Sequence, residues 1–274
     1  RSAGAGLRSR HAGPVRWNNP RTAVTLSLHG QRSRFPFVSW QQALVDKYYR
    51  DRPGWTDGTQ DFHALCRRYV TTSSRVLEIG PGAGGQTSGF LTQIAASVEG
   101  LDVDAASVSN PYLRKVHVYD GDRFPLADGS FDCIVSDYAL EHVAHPPGLL
   151  AEIRRVLAPR GCFVFRTPNV LHYVSLLSRL FPDRMSNWAR NRAPDHVVYR
   201  KFFRLNSEGA CRTQLRKEGF EILELSMIEK EPSYGLRSRL LFFPMMGYER
   251  LVNSSDIFRA LRANILCAAR RTSP

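Results

Sequence analysis

Val76-Leu77-Glu78-Ile79-Gly80-Pro81-Gly82-Ala83-Gly84-Gly85 is the stretch on which the fold reading turns. A short apolar strand, Arg75–Ile79, runs into a glycine-rich turn, and Thr87–Ala96 beyond it has helical spacing. Glycine suits a turn where backbone must approach a ligand or take a positive φ, and the following helix N-terminus offers free N–H groups. The same pattern serves a plain strand-to-helix turn. Gly80, Gly82 and Gly85 also fit the G-x-G-x-x-G of a dinucleotide fold. Other residues have to decide.

Working outward, the rhythm stays strand–turn–helix. Ser97–Val103, Lys115–Tyr119, Phe131–Ser136 and Cys162–Thr167 read as strands. Pro147–Leu157 reads as a helix that stops at Pro159-Arg160-Gly161. Ser207–Glu218 is a helix closed by Gly219, and Phe220–Met227 and Ile265–Ala269 are later strands. Upstream, Ser39–Tyr49 and Thr59–Tyr69 look helical around the breaker Arg52-Pro53-Gly54. Strands alternating with helices at this pitch predict a parallel sheet with helices on both faces.

Two acids argue against a dinucleotide. Glu78 lies inside the first strand, where a carboxylate repels a pyrophosphate but suits a ligand carrying an ammonium and a sulfonium. Asp102 closes the second strand, where an acid accepts ribose hydroxyls; Asp104 is the adjacent alternative.

The third feature is Asp120-Gly121-Asp122-Arg123-Phe124-Pro125-Leu126 followed by Asp128-Gly129-Ser130-Phe131-Asp132. With these ordered motifs the chain resembles the class I S-adenosylmethionine-dependent methyltransferases, in particular the small-molecule, quinone-biosynthesis-like (methyltransferase type 11) subgroup. The resemblance covers residues 70–170 well and 195–227 loosely. It implies a Rossmann-like α/β fold, a seven-stranded mostly parallel sheet with helices on both faces, an N-terminal helical cap and an inserted lid. It implies S-adenosyl-L-methionine as cofactor, with Glu78, Gly80 and Gly82 at its amino-acid end and Gly84 and Ser136 beside them. Asp102 is then the ribose ligand, and Asp120 with the Gly121 backbone the adenine ligand, unless Asp120 only caps the third strand.

On the acceptor side, Ser136-Asp137-Tyr138-Ala139-Leu140-Glu141-His142-Val143 follows the fourth strand, and in the family this segment runs past the methyl group. His142 is either a general base for a hydroxyl substrate or, with Glu141, a scaffold that shapes the pocket. His145, before Pro146-Pro147, is expected at a helix start. Phe165-Arg166-Thr167-Pro168-Asn169 resembles a family turn that places Asn169 on the substrate side. Asp195-His196-Val197-Val198-Tyr199 gives His196 as a second candidate base and Tyr199 as a candidate wall; the alternative is a lid satisfied by its neighbours. No Asn-Pro-Pro-Tyr signature of nucleic-acid or protein amino-group methyltransferases occurs. The expected reaction is therefore methyl transfer to a hydroxyl of a small molecule (a sugar, quinone or lipid intermediate). Nitrogen or carbon methylation and a non-catalytic cofactor-fold binding protein are the rivals.

Charge is segregated along the 274 residues. Residues 1–68 carry 12 basic and 4 acidic side chains, 69–170 carry 8 and 11, and 171–274 carry 18 and 10. Basic flanks meet solvent or an anionic partner, while the mildly acidic middle argues against nucleic acid across the active face. Residues 1–38 read as a disordered basic arm, 39–70 as the helical cap, and 71–274 as the methyltransferase domain with lid insertions at about 170–204 and 235–262. In Arg237–Val252, apolar residues beside Arg237, Arg239 and Arg250 invite a peripheral membrane or lipid contact, with cap or dimer contact as the alternative. Pro244 and Gly247 are expected to interrupt a continuous helix there.

Five scattered cysteines without a C-x-x-C pair suggest buried apolar residues in a reducing compartment, with no metal site. Apolar runs short of about 20 residues and no secretory pattern lead to a cytoplasmic expectation. The oligomeric state is left open.

Overall fold

Seven strands form one sheet in the order β3-β2-β1-β4-β5-β7-β6 in the computed structural model, which describes residues 39–180 and 199–272. The arm to residue 38 and the segment 181–198, which carries His196, lie outside the described residues. The strands are β1 (Arg75–Ile79), β2 (Ser97–Asp102), β3 (Val116–Val118), β4 (Phe131–Asp137), β5 (Leu157–Pro168), β6 (Phe220–Ile228) and β7 (Asn264–Arg271). Pairing is parallel from β3 through to β5, whereas β7 runs antiparallel to both β5 and β6.

The near-continuous apolar runs of the central strands follow from burial on both faces. Successive side chains alternate between faces. Leu77, Ile134, Phe163 and Phe165 pack into one core cluster with Ile153 and Leu215, while Val76, Cys133, Val135 and Val164 join Phe62, Leu65 and Leu91 in the other. All five cysteines are free and buried.

The helices that flank the sheet are α1 (Trp40–Val45, continued by a π-helical turn Asp46–Arg50), α2 (Gly58–Tyr69), α3 (Gln86–Ile94), α4 (Pro146–Val156), α5 (Tyr173–Leu180), α6 (Glu208–Lys217) and α7 (Arg239–Ser254). Their starts are chemically marked. Asp57 and Gln60 form a reciprocal capping box on α2. His145 accepts the Gly148 N–H ahead of α4, whose first turn holds the prolines, and Ser207 caps α6.

Three sequence expectations change. First, β5 begins at Leu157, paired with Phe131, before Arg160 takes a left-handed φ of 63° and pairing resumes at Cys133↔Cys162. Second, the expected lid begins as a helix, α5. Third, the helix expected to break at Pro244 and Gly247 runs unbroken from Arg239 to Ser254. Proline there leaves the Leu240 carbonyl without its helical donor, and at a residue that is 86% exposed this loss costs less than it would in the core. Phe242, Glu249 and Val252, all buried, anchor the inner face on both sides of the break.

Candidate active site

Strand order reverses between β1 and β4, and in open α/β sheets ligands bind outside the carboxyl ends of the strands at such a point. The glycine turn lies there. Gly80 has φ 74°, and a Cβ on it would come within 2.6 Å of the Ala139 Cβ, so the turn and the chain after β4 meet with no room for a side chain. Gly82 has φ 58°, faces open space, and donates its N–H to Asp102 Oδ2 at 3.0 Å. Gly84 has φ 136° and packs on Pro111. Asp102 Oδ1 accepts from Asp104 N at 3.0 Å, which fixes the carboxylate at the tip of β2. Asp120 follows β3 in an exposed turn, where its Oδ1 accepts from Asp122 N at 3.0 Å and Gly121 has φ 97°.

Glu78 is 3% exposed. Burial pushes its carboxyl up to about 7, countered by the Ser88 hydroxyl and reinforced by Asp137 and Asp102. Ser88 is itself held by Asn110 Nδ2 at 3.1 Å. Glu78 Oε2 has no hydrogen-bond partner, and neither does the buried Ser136 Oγ.

A cavity of about 220 Å³ opens beside Glu78, Gly80, Thr87 and Thr59, with an ion pair between Asp137 and Arg166 in its wall. Arg166 Nε and Nη2 reach the two carboxylate oxygens of Asp137 at 2.7 and 2.8 Å, and Thr87 donates to the same carboxylate at 2.7 Å. This bidentate geometry offsets the desolvation of a pair that is almost wholly buried. His63, stacked on Phe90 at 3.9 Å, contacts Thr87 from the other side, and burial lowers its imidazole to about 4. A larger cavity of about 710 Å³ lies at the opposite end of the sheet, between Arg154, Lys217 and Arg271, away from all of these motifs.

The candidate acceptor side gathers around His142. Its Nδ1 lies 3.0 Å from the Arg200 carbonyl, which can only accept, so Nδ1 is the donor. Nε2 is 4.0 Å from Glu141 Oε1, and the side chain is 29% exposed. Tyr199 packs edge-on against the imidazole at 5.8 Å and donates its hydroxyl to Asp104 Oδ2 at 2.5 Å. That hydrogen bond, with some burial, pushes the phenol up to about 12. Tyr199 therefore links His142 to the tip of β2. Glu141 is buried, and its carbonyl accepts from Phe202 and Phe203, tying the segment after Tyr199 down over residues 140–142.

Asn169 differs from its expected place. It is fully buried, donates to the carbonyls of Ala260 and Arg262, and accepts from Leu171 N. It clamps the end of β5 to the chain before β7 rather than facing a ligand.

A family model described as a methyltransferase domain matches residues 50–225, more than half of the chain. The chain belongs to this methyltransferase family. Its class I architecture is that of S-adenosylmethionine-dependent enzymes, and S-adenosylmethionine is their cofactor. An uncharacterized 37.1 kDa protein in transposon Tn4556 of Streptomyces fradiae is 33% identical over 47% of this chain and 41% of its own length. A malonyl-[acyl-carrier protein] O-methyltransferase of Halorhodospira halophila is 34% identical over 36% of this chain and 37% of its own. The match thus spans about two fifths of these curated relatives. A putative methyltransferase of Bacillus halodurans shares the fold, with a TM-score of 0.51 at 16% identity, over 78% of this chain and all of that one.

The methyltransferase's own residues fit the cofactor. An ammonium would give Glu78 Oε2 the partner it lacks, and the open side of Gly82 leaves space against which a ligand can lie. Among the described residues no group of three or more His, Cys, Asp or Glu could hold a metal ion. Sequence reading missed the pair Asp137–Arg166. Its signal was an arginine directly after the apolar run Cys162–Phe165 and an aspartate ending the neighbouring strand, at paired register positions. Thr59, Thr87, Ser88 and Asn110 carried no such signal.

Proposed function

We propose that this methyltransferase moves the methyl group of S-adenosylmethionine onto a hydroxyl of a small molecule, such as a sugar, quinone or lipid intermediate. When bound, the cofactor supplies an electrophilic methyl group. Asp102 accepts the ribose hydroxyls, Glu78 takes the ammonium, and Asp120 with the Gly121 N–H borders the adenine. Thr59 and Arg166 border the cavity at the amino-acid end.

His142 carries the reading. With Nδ1 held on the Arg200 carbonyl, Nε2 is the nitrogen that takes up the acceptor's hydroxyl proton as the oxygen lone pair attacks. Glu141 lies close enough to favour the imidazolium that results. Tyr199 fixes the ring and walls the acceptor side. Base catalysis of this kind is worth about 10²–10⁴-fold, with positioning supplying much of the rest. His196, outside the described residues, is a second candidate base.

The test is incubation with cofactor labelled in its methyl group and a pool of hydroxylated small molecules, followed by mass analysis of the products. Label in a methoxy group is expected. Label on nitrogen or carbon overturns the hydroxyl reading, and cofactor binding without turnover on any pool favours a binding protein.

A further inference from the structure

Helix α7 has two faces, and only one of them is covered. Phe242, Glu249 and Val252 point inward and are buried. Tyr49 packs edge-on against Phe242 and donates its hydroxyl to Glu249, and Arg250 holds the Tyr48 carbonyl at 3.2 Å. The outward face carries Leu240, Phe243, Pro244, Gly247 and Leu251, spaced i, i+3, i+4, i+7 and i+11. Leu240 is 86% exposed, Leu251 54% and Phe243 46%. Isolated exposed apolar residues are ordinary, but a continuous stripe along a rigidly anchored helix is not.

The charges around the stripe select its partner. The helix's one carboxylate, Glu249, is on the inner face, and Arg239 is exposed beside Leu240 at the helix start. From 235 to 262 there are five arginines against Glu249 and Asp256; Arg250, Arg259 and Arg262 are ion-paired with Glu249, Glu208 and Asp256, and Arg239 stands exposed at the end of the stripe. A stable dimer buries about 800 Å² on each partner, more than five residues of one helix supply. An interfacial helix needs an apolar stripe with a cation at its border, here Arg239.

We infer that α7 lies in the interface of an anionic lipid bilayer, with its outward stripe among the acyl chains and Arg239 among the headgroups. Tyr248 of the same helix packs edge-on against Tyr173, just beyond the Asn169 clamp that ends β5. Among the described residues no helix is long and apolar enough to cross a membrane, so contact is from one side.

The experiment is co-sedimentation of the full chain with phosphatidylcholine vesicles, with and without phosphatidylglycerol. Neither cofactor nor acceptor is present, so the outcome is independent of the methyl-transfer reading. Wild type is expected to sediment with the anionic vesicles and to be released by salt. The double variant Leu240→Asp/Leu251→Asp is expected to lose at least about tenfold in partition, since burying even one leucine accounts for that much. Thr213→Asp/Lys217→Gln, the same change of two charges at exposed positions on α6, is expected to match wild type. Equal binding of wild type and double variant would assign the effect to the basic arm and overturn the inference. So would absence of wild-type binding, or loss in the double variant of a dimer seen by ultracentrifugation.

Discussion

The proposed cofactor end of the cleft draws mainly on one stretch, Glu78 to Gly121, joined by Thr59 and Arg166, whereas the proposed acceptor end gathers His142, Tyr199 and Arg200 from far apart. At the cofactor end most contacts are short-range consequences of the β1 turn and two strand tips, as in Gly82 N–H on Asp102. At the acceptor end, Tyr199 reaches Asp104 across 95 positions, and His142 reaches Arg200 across 58. A site built of local backbone geometry is rigid and shared by a family; one built of distant loops is free to specialise.

That contrast predicts different costs for damage at each end. The largest effect is expected for Asp102→Ala. It removes both the acceptor for the ribose hydroxyls and the tether on Gly82, so calorimetry should show S-adenosylhomocysteine affinity falling by more than about a hundredfold. Affinity within a few fold of wild type would move the ribose contact to Asp104.

The next effect belongs to the acceptor end. His142→Ala should lower turnover by about a hundredfold while leaving cofactor affinity within about threefold, since the imidazole is held by Arg200, Glu141 and Tyr199. Equal loss of both would make His142 a scaffold.

These two residues also show what the sequence could reveal. The places of Glu78 inside β1, of Asp102 at the tip of β2 and of the glycines after β1 followed from strand–turn–helix periodicity, as did the strands of the sheet, while the cofactor roles expected of them came from the family resemblance. His142 was legible as a residue, but its tautomer was not. The Arg200 carbonyl that sets it comes from 58 positions away. Asn169 was assigned to the substrate side because its neighbours suggested a pocket turn, and its true partners lie in a segment no local pattern connects to it. Likewise the run through Pro244 looked broken because local propensity counts the lost hydrogen bond but not Phe242, Glu249 and Val252 holding the helix from below.

The smallest effect concerns the charge on Glu78. Its carboxyl titrates near 7, well above the usual carboxylate range, so below that pH it is mostly neutral. A ligand ammonium favours the ionised form. Affinity for S-adenosylhomocysteine should therefore rise with pH, by up to about tenfold per unit below 7, and level off above it. Glu78→Gln should bind more weakly at pH 8 and lose that slope. A slope that survives the substitution would assign the titration to another group.

We place the cofactor across the carboxyl ends of β1, β2 and β4 with its amino-acid end beside Glu78. A crystal structure of the full chain with S-adenosylhomocysteine is the decisive experiment. The ribose hydroxyls are expected on Asp102, the ammonium within hydrogen-bond distance of Glu78 Oε2, and the sulfur on the side of the cleft that holds His142. Ligand bound in the reverse direction, or in the basic cavity at the opposite end of the sheet, would contradict it.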